Sequence, residues 1–252
     1  MRLAERVAVV TGAGRGIGRA VALRFAEEGA AVVVNDIELS SAEGTADRIE
    51  KSGGSALAIK ADVRDRNEVG GMFRRAAGKF GRIDILVNNA GVRKDARSHE
   101  MTEKDWDTVL DTSLKGCINC IQASVKFMLK QNYGKIVNIS SPLPPAIAGK
   151  GYSSYAAASS GLYGLTVSLA VELGPHNINV NCIAPDFIDT EMTRNAARSE
   201  GLYLEDLKKF AVAGIPLRRL GRPADVAALA LFLASDEACF ITGQVINIKG
   251  GP

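Results

Sequence analysis

The stretch Val7-Ala-Val-Val-Thr-Gly-Ala-Gly-Arg-Gly-Ile-Gly18 decides the fold. Its apolar, β-branched start reads as a short buried strand, and the glycines that follow open a helical segment running to Glu28. Gly12, Gly16 and Gly18, with Arg15 and Ile17 among them, let the backbone turn sharply and come close to a pyrophosphate. The free N–H groups of the helix N-terminus favour that group's charge. A glycine cluster alone is weak evidence; one set between a strand and a helix is much more specific.

Outward from this turn, short β-branched runs alternate with longer amphipathic ones. After Val7–Thr11 come Ala31–Asn35, Ser55–Ala61, Ile83–Asn88, Lys135–Ser140, Asn177–Ile183 and Gln244–Ile248, each but the last followed by a helical segment. Seven strands separated by helices require crossover connections, hence a parallel sheet covered on both faces. The expected fold is α/β, a doubly wound seven-stranded parallel sheet of Rossmann type, with residues 1–252 forming a single domain. The segment of about 186–220 breaks the rhythm with Gly201, Gly214 and Pro216 around an amphipathic piece, Leu202–Phe210. Ligands bind beyond the carboxyl ends of the strands in such sheets, so this segment is expected to be a substrate lid. A packing or subunit-contact excursion is the alternative.

Asp36 closes the second strand about twenty residues after the glycine turn, where a carboxylate accepts hydrogen bonds from ribose hydroxyls and repels a 2′-phosphate. That favours NAD over NADP. Arg15 pulls the other way if it pairs with a 2′-phosphate, and is neutral if it is solvated or meets the pyrophosphate.

The rest of the composition excludes more than it assigns. The chain has 252 residues, 46% hydrophobic and 23% charged, with 31 Lys+Arg against 28 Asp+Glu and a formal charge of +3. So small and scattered an excess is no footprint for nucleic acid or an anionic membrane. No signal-peptide core is evident, and no apolar stretch is expected to span a bilayer, which points to the cytoplasm. Four cysteines are too few for a disulfide framework, and Cys117-x-x-Cys120 falls in an expected helix from Met101 to about Lys130, where core packing is the simpler role. His99 and His176 have no ligand spacing, so no metal site is expected.

The chain resembles the short-chain dehydrogenase/reductase family along essentially its whole length. The matching residues are Thr11-Gly-x-x-x-Gly-Ile-Gly18, Asp62-Val63, Asn88-Asn-Ala-Gly91, the Asn-Val-Asn-x-Ile-Ala-Pro185 run, Gly221-Arg-Pro-Ala-Asp-Val226, Ile241-Thr-Gly-Gln244 and Gly250-Gly251. The resemblance implies that Asp62 and Val63 hold the adenine, Asn89, Ala90 and Gly91 the middle of the cofactor, and Ile188 and Thr190 the nicotinamide carboxamide. It also implies hydride exchange with a carbonyl or alcohol carbon while a tyrosine exchanges the proton on oxygen. A serine, a lysine four residues after the tyrosine and an asparagine on the preceding long helix assist.

Ser141 and Tyr155 match the serine and the tyrosine, with an interval one residue longer than usual. The lysine position is Ser159 and the asparagine position is Ser113. Tyr152 is a poorer candidate, because Ala156 stands four residues after it. A hydroxyl carries no charge, and an unperturbed tyrosine with pKa about 10 is less than about 1% ionised at neutral pH, so losing the cation costs proton transfer several kcal/mol. Asp186 replaces the glycine usual after Pro185. Lys115 lies off the face of Ser113, and Lys150 is the remaining lysine near Tyr155 in sequence.

Two functions follow. One is a self-sufficient NAD(H)-dependent ketoreductase or alcohol dehydrogenase using Tyr155 and Ser141. The other, favoured by the two replaced positions, is a catalytically degenerate subunit that stabilises or regulates an active homologous chain in a tetramer. A non-redox enzyme using the same pocket is a third. The resemblance places the tetramer interface on the helices from Met101 and Ser153, with Val109, Leu114, Ile121, Leu162, Leu165, Val167, Leu169 and Val171 as its apolar positions. The nearest resemblance is to members acting on 3-oxoacyl or 3-hydroxyacyl thioesters, so a small-molecule or acyl-CoA substrate is expected. Arg194, Arg198, Lys208 and Lys209 either meet its anionic groups or form a solvated basic face.

Overall fold

The computed structural model describes residues 1–142, 151–199 and 212–251. Seven parallel strands form one sheet: β1 (Val7–Val10), β2 (Ala31–Asp36), β3 (Ser55–Lys60), β4 (Ile85–Asn88), β5 (Gly134–Ile139), β6 (Ile178–Pro185) and β7 (Val245–Ile248). Their order across the sheet is β3-β2-β1-β4-β5-β6-β7. The order reverses between β1 and β4, so the crevice beyond their carboxyl ends is the expected ligand position.

Both faces of the sheet are covered, which explains its unbroken apolar runs. Ala8 and Val10 of β1 pack with α1 (Gly16–Glu27), α2 (Leu39–Lys51) and α8 (Pro223–Ala234), through residues such as Phe25, Ile49 and Leu231. Val7 and Val9 pack into the opposite layer, built on α3 (Arg66–Phe80), α5 (Gly116–Gln131) and α6 (Ser153–Leu173), through Phe73, Ile121 and Leu173. Helix α4 (Glu103–Leu110) begins at Thr102, whose hydroxyl accepts the Asp105 N–H, and helix α7 (Glu191–Ser199) follows β6.

The expected continuous helix from Met101 is interrupted. Between α4 and α5, Asp111–Lys115 form a π-helical turn, and the Gly116 N–H reaches back to the Asp111 carbonyl. Such turns re-aim the side chains they carry and cluster at functional sites; this one carries Ser113.

Helix α6 corrects a second expectation. Continued to His176, it is long and apolar enough to cross a membrane by length and composition. Alanine, leucine and valine give it that character, and its Leu162, Thr166, Leu169, Ala170 and Leu173 are buried within the domain. The same burial revises the expected interface. Val109, Ile121, Leu162 and Leu169 belong to the chain's own core, whereas Val167 and Val171 are exposed. Leu114 packs beside Gly161.

Polar bonds fix α6 against the sheet. Asn88 Nδ2 donates to Asn138 Oδ1 at 2.9 Å, and Asn138 Nδ2 donates to Thr166 Oγ1 at 2.9 Å, all three residues being buried. The Tyr163 phenol donates to the Ser141 carbonyl at 2.7 Å, and the Ser140 hydroxyl to the Ser159 carbonyl at 3.1 Å. The end of β5 is thereby locked to the helix that carries Tyr155. Asn138→Ala leaves the buried Asn88 amide on β4 without its partner and removes a donor to Thr166 on α6, and should cost about 2 kcal/mol. Urea unfolding should show a lower midpoint with an unchanged slope.

Candidate active site

The glycine turn sits where β1 ends. Gly12 and Gly16 have φ of +59° and +56°, a region side-chain-bearing residues rarely enter. A Cβ on Gly18 would collide with the Gly12 carbonyl oxygen and lie 2.5 Å from Asn89 Nδ2, so only hydrogen lets the first turn of α1 close over the loop. Asn89 completes the arrangement, its side-chain amide donating to the carbonyls of Thr11 and Gly12 at 3.0 Å each. The Thr11 hydroxyl accepts the N–H groups of Asn89 and Ala90.

Asp36 stands beside the same turn. Its Oδ2 accepts the Gly14 N–H at 3.0 Å and its Oδ1 the Glu38 N–H at 3.2 Å, which aims the carboxylate along the crevice rim. Arg15 is committed elsewhere: its guanidinium pairs with Glu191 on α7 at 3.2 Å. Thr190 lies over Gly16, and Ile188 bridges to Gly221, so the start of the expected lid rests on the glycine turn. Asp62 is drawn into a bidentate pair with Arg64, which holds its carboxyl below the usual range, while Val63 is buried under Gly116.

At the carboxyl end of β5, Ser141 is buried and faces the Tyr155 phenol. Burial pushes that phenol above its ordinary value; Ser141 and the charge of Arg93 pull it back, and Asp95 pushes it further up. Ser159, four residues on along α6, is buried and brings no charge. Ser113, also buried, accepts the Val92 N–H at 3.3 Å and lies against Gly91. The structure thus gathers Ser141 and Tyr155 at one point and places the two serine replacements on the helices flanking it.

The other candidates separate clearly. Lys115 pairs with Asp111 at 3.1 Å, away from Tyr155, as its helical position requires. Lys150 lies outside the described residues, as do Lys208 and Lys209 of the lid. Arg194 is paired with Asp189 at 2.9 Å. Asp186 adopts no positive φ; its backbone N–H donates to the Ile248 carbonyl, and its buried Oδ1 has no partner. Cys117 and Cys120 are buried thiols, and burial pushes Cys117 up to about 12, so the pair is inert packing. Among the described residues no cluster could hold a metal ion.

One residue escaped the sequence reading. The Arg93 guanidinium lies over the Tyr152 ring at 4.5 Å and faces the Tyr155 ring at 5.6 Å. Its position just after Asn88-Asn-Ala-Gly91, at the carboxyl end of β4, was the available signal.

Residues 12–252 match the family model described as enoyl-(acyl carrier protein) reductase. The chain is 42% identical over 252 residues to 3-oxoacyl-[acyl-carrier-protein] reductase FabG of Thermotoga maritima, covering 100% of this chain and 99% of the relative. It belongs to the short-chain dehydrogenase/reductase family. The BbsD subunit of (2S)-[(R)-hydroxy(phenyl)methyl]succinyl-CoA dehydrogenase of Thauera aromatica is 40% identical over 251 residues, covering 100% of this chain and 98% of BbsD. Levodione reductase superposes with a TM-score of 0.92 at 33% identity, over 99% of this chain and 98% of that one. A short-chain type dehydrogenase/reductase from Mycobacterium marinum gives 0.90 at 34% identity, over 98% and 95%. The family is one of oxidoreductases that use nicotinamide dinucleotides, and the residues present fit such a group: a cradle that a Cβ at Gly18 would fill, with a carboxylate at its rim.

Gly18→Ala tests that fit. The added methyl should force the Gly12–Asn89 contact apart and weaken dinucleotide binding at least tenfold by calorimetry, with the circular dichroism of the fold retained.

Proposed function

We propose that this chain is a catalytically weakened, NAD-binding subunit of an oxidoreductase for a hydroxyacyl thioester or similar secondary alcohol or ketone, working beside an active homologous chain. The observation that carries it is Ser159, an uncharged side chain one helical turn after Tyr155, which leaves a phenol raised by burial with no ammonium from α6 and only the Asp95-paired Arg93 guanidinium facing its ring. General acid–base help is worth about 10²- to 10⁴-fold, and a phenol raised by burial forfeits much of it near neutral pH.

In this proposal Gly12, Gly16 and Gly18 cradle the pyrophosphate, with Ile17 in the turn and Arg15 held back by Glu191. Asp36 takes the ribose hydroxyls and disfavours a 2′-phosphate, which supports NAD. Asp62 and Val63 border the adenine; Asn89, Ala90 and Gly91 shape the middle of the groove; Ile188 and Thr190 face the carboxamide. The described parts of the expected lid, 186–199 and 212–220, border the substrate; residues 200–211 lie outside the described residues. When bound, the nicotinamide supplies or accepts hydride. Ser141 orients the substrate oxygen and Tyr155 holds the proton destined for it or taken from it. Ser113 and Ser159 occupy the places of the relay asparagine and the lysine without their reach or charge.

The thioester substrate is supported by the activities for which two relatives are named, a 3-oxoacyl carrier-protein reductase and a dehydrogenase of a substituted succinyl-CoA. The second is named as a subunit, which supports assembly with another chain; a tetramer, homomeric or with a homologous chain, is the form we propose. Exposed Val167 and Val171 on α6 offer it an apolar face. A cytoplasmic setting agrees with three buried free thiols. The juxtaposition of Ser141 and Tyr155 favours a second reading, a self-sufficient NAD(H)-dependent ketoreductase.

Turnover of the purified chain separates the two. Alone, it should bind NAD weakly and oxidise a hydroxyacyl thioester at least a hundredfold below the roughly 1–10³ s⁻¹ usual for enzymes. The double substitution Ser113→Asn with Ser159→Lys should raise that rate at least tenfold, and co-expression with an intact homologous chain should yield one complex. Ordinary turnover by the unmodified chain alone would establish the self-sufficient enzyme instead.

A further inference from the structure

Arg93 stands outside every position that the family resemblance assigns, yet it is the cation nearest to Tyr155 among the described aromatic contacts. It is largely shielded, with 18% of its side chain exposed, and is held from several directions. Asp95 grips the guanidinium through Nη2 at 2.7 Å and Nε at 3.3 Å, and the Tyr152 ring lies beneath it at 4.5 Å. The segment carrying it is itself tied to the start of α6. Ala96 N–H donates to the Gly151 carbonyl at 3.1 Å, and the Ser153 hydroxyl donates to Met101 Sδ at 3.7 Å. Gly151 has φ +102°, and a Cβ there would meet the Ala96 backbone at 3.1–3.3 Å, so the two segments pass backbone against backbone.

We propose that Arg93, fixed over the Tyr155 ring by Asp95 and Tyr152, supplies this site's positive charge from the segment after β4, where position 159 of α6 supplies none. It is a positioning residue: it stabilises the phenolate through space and exchanges no proton itself. An opposite charge within about 4–6 Å favours the ionised form of an acid, and a cation over an aromatic face is attracted to the ring as well. Asp95 limits the effect, because it neutralises most of the guanidinium's field and adds a negative charge of its own. Arg93 therefore restores part of what the lysine would give, and none of its contact with a ribose. For its bearing on catalysis the inference rests on Tyr155 being the proton-exchanging group; the electrostatic claim stands without it.

Among the described residues, the groups acting on the phenol are Ser141, Arg93 and Asp95. The test is to place difluorotyrosine at position 155 of the full chain, which brings the titration into a pH range where the fold is intact, and to follow it by ¹⁹F NMR. Arg93→Gln should raise the midpoint by about one pH unit, Asp95→Asn should lower it, and Arg93→Lys should stay near the unsubstituted chain. Opposite movements of the first two, with the lysine variant retaining the charge effect, support the proposal. No movement in Arg93→Gln, movement of both variants in one direction, or an Arg93→Lys midpoint as high as that of Arg93→Gln overturns it. Should Arg93→Gln not fold, Arg93→Lys and Asp95→Asn still decide: the first must hold the midpoint and the second must lower it. Fast turnover by the unmodified chain would refute the weakened-subunit reading while leaving this titration unaffected, so the two failures are distinguishable.

Discussion

A phenol removed from water gives up its proton only when positive charge lies close by, because burial penalises the anion more than the neutral acid. Tyr155 is under that constraint. The fold places it firmly beside Ser141: the Asn88–Asn138–Thr166 chain and the Tyr163–Ser141 bond hold the end of β5 against α6. What the fold does not bring is an ammonium from α6 itself, since position 159 is a buried serine.

The glycine-turn end is built differently. Asn89 links the ends of β1 and β4 by donating to two carbonyls of the glycine turn, and Asp36 links β2 to the same turn through the Gly14 N–H. These contacts hold the turn in shape without a ligand. The two ends of the site thus differ: one is held in shape by its own hydrogen bonds, the other receives no ammonium from α6.

Much of this was legible in the sequence because it is local. Short apolar runs and intervening amphipathic segments give seven strands with ends displaced by a residue or two; Ile83 is buried just before β4 begins, not within it. The glycine turn and Asp36 follow from position along the chain, whereas Ser141, Tyr155 and the serines at 113 and 159 are singled out only by the family resemblance. The remainder depends on contacts between distant segments. Arg93 reaches Tyr155 only because residues 91–102 fold back on Gly151, and Arg15 meets Glu191 only because α7 returns over the glycine turn. The π-helical turn at Ser113 and the core positions of Val109 and Ile121 are likewise settled by packing, which apolar character alone does not resolve.

The dependence of rate on pH addresses the charge at Tyr155 most directly. With no ammonium beside the phenol, alcohol oxidation by the isolated chain should climb about tenfold per pH unit through about pH 9 without levelling, because each unit ionises tenfold more of the tyrosine. A profile already flat between about pH 7 and pH 8 would mean that the phenol ionises near neutrality, and would contradict a Tyr155 left short of positive charge.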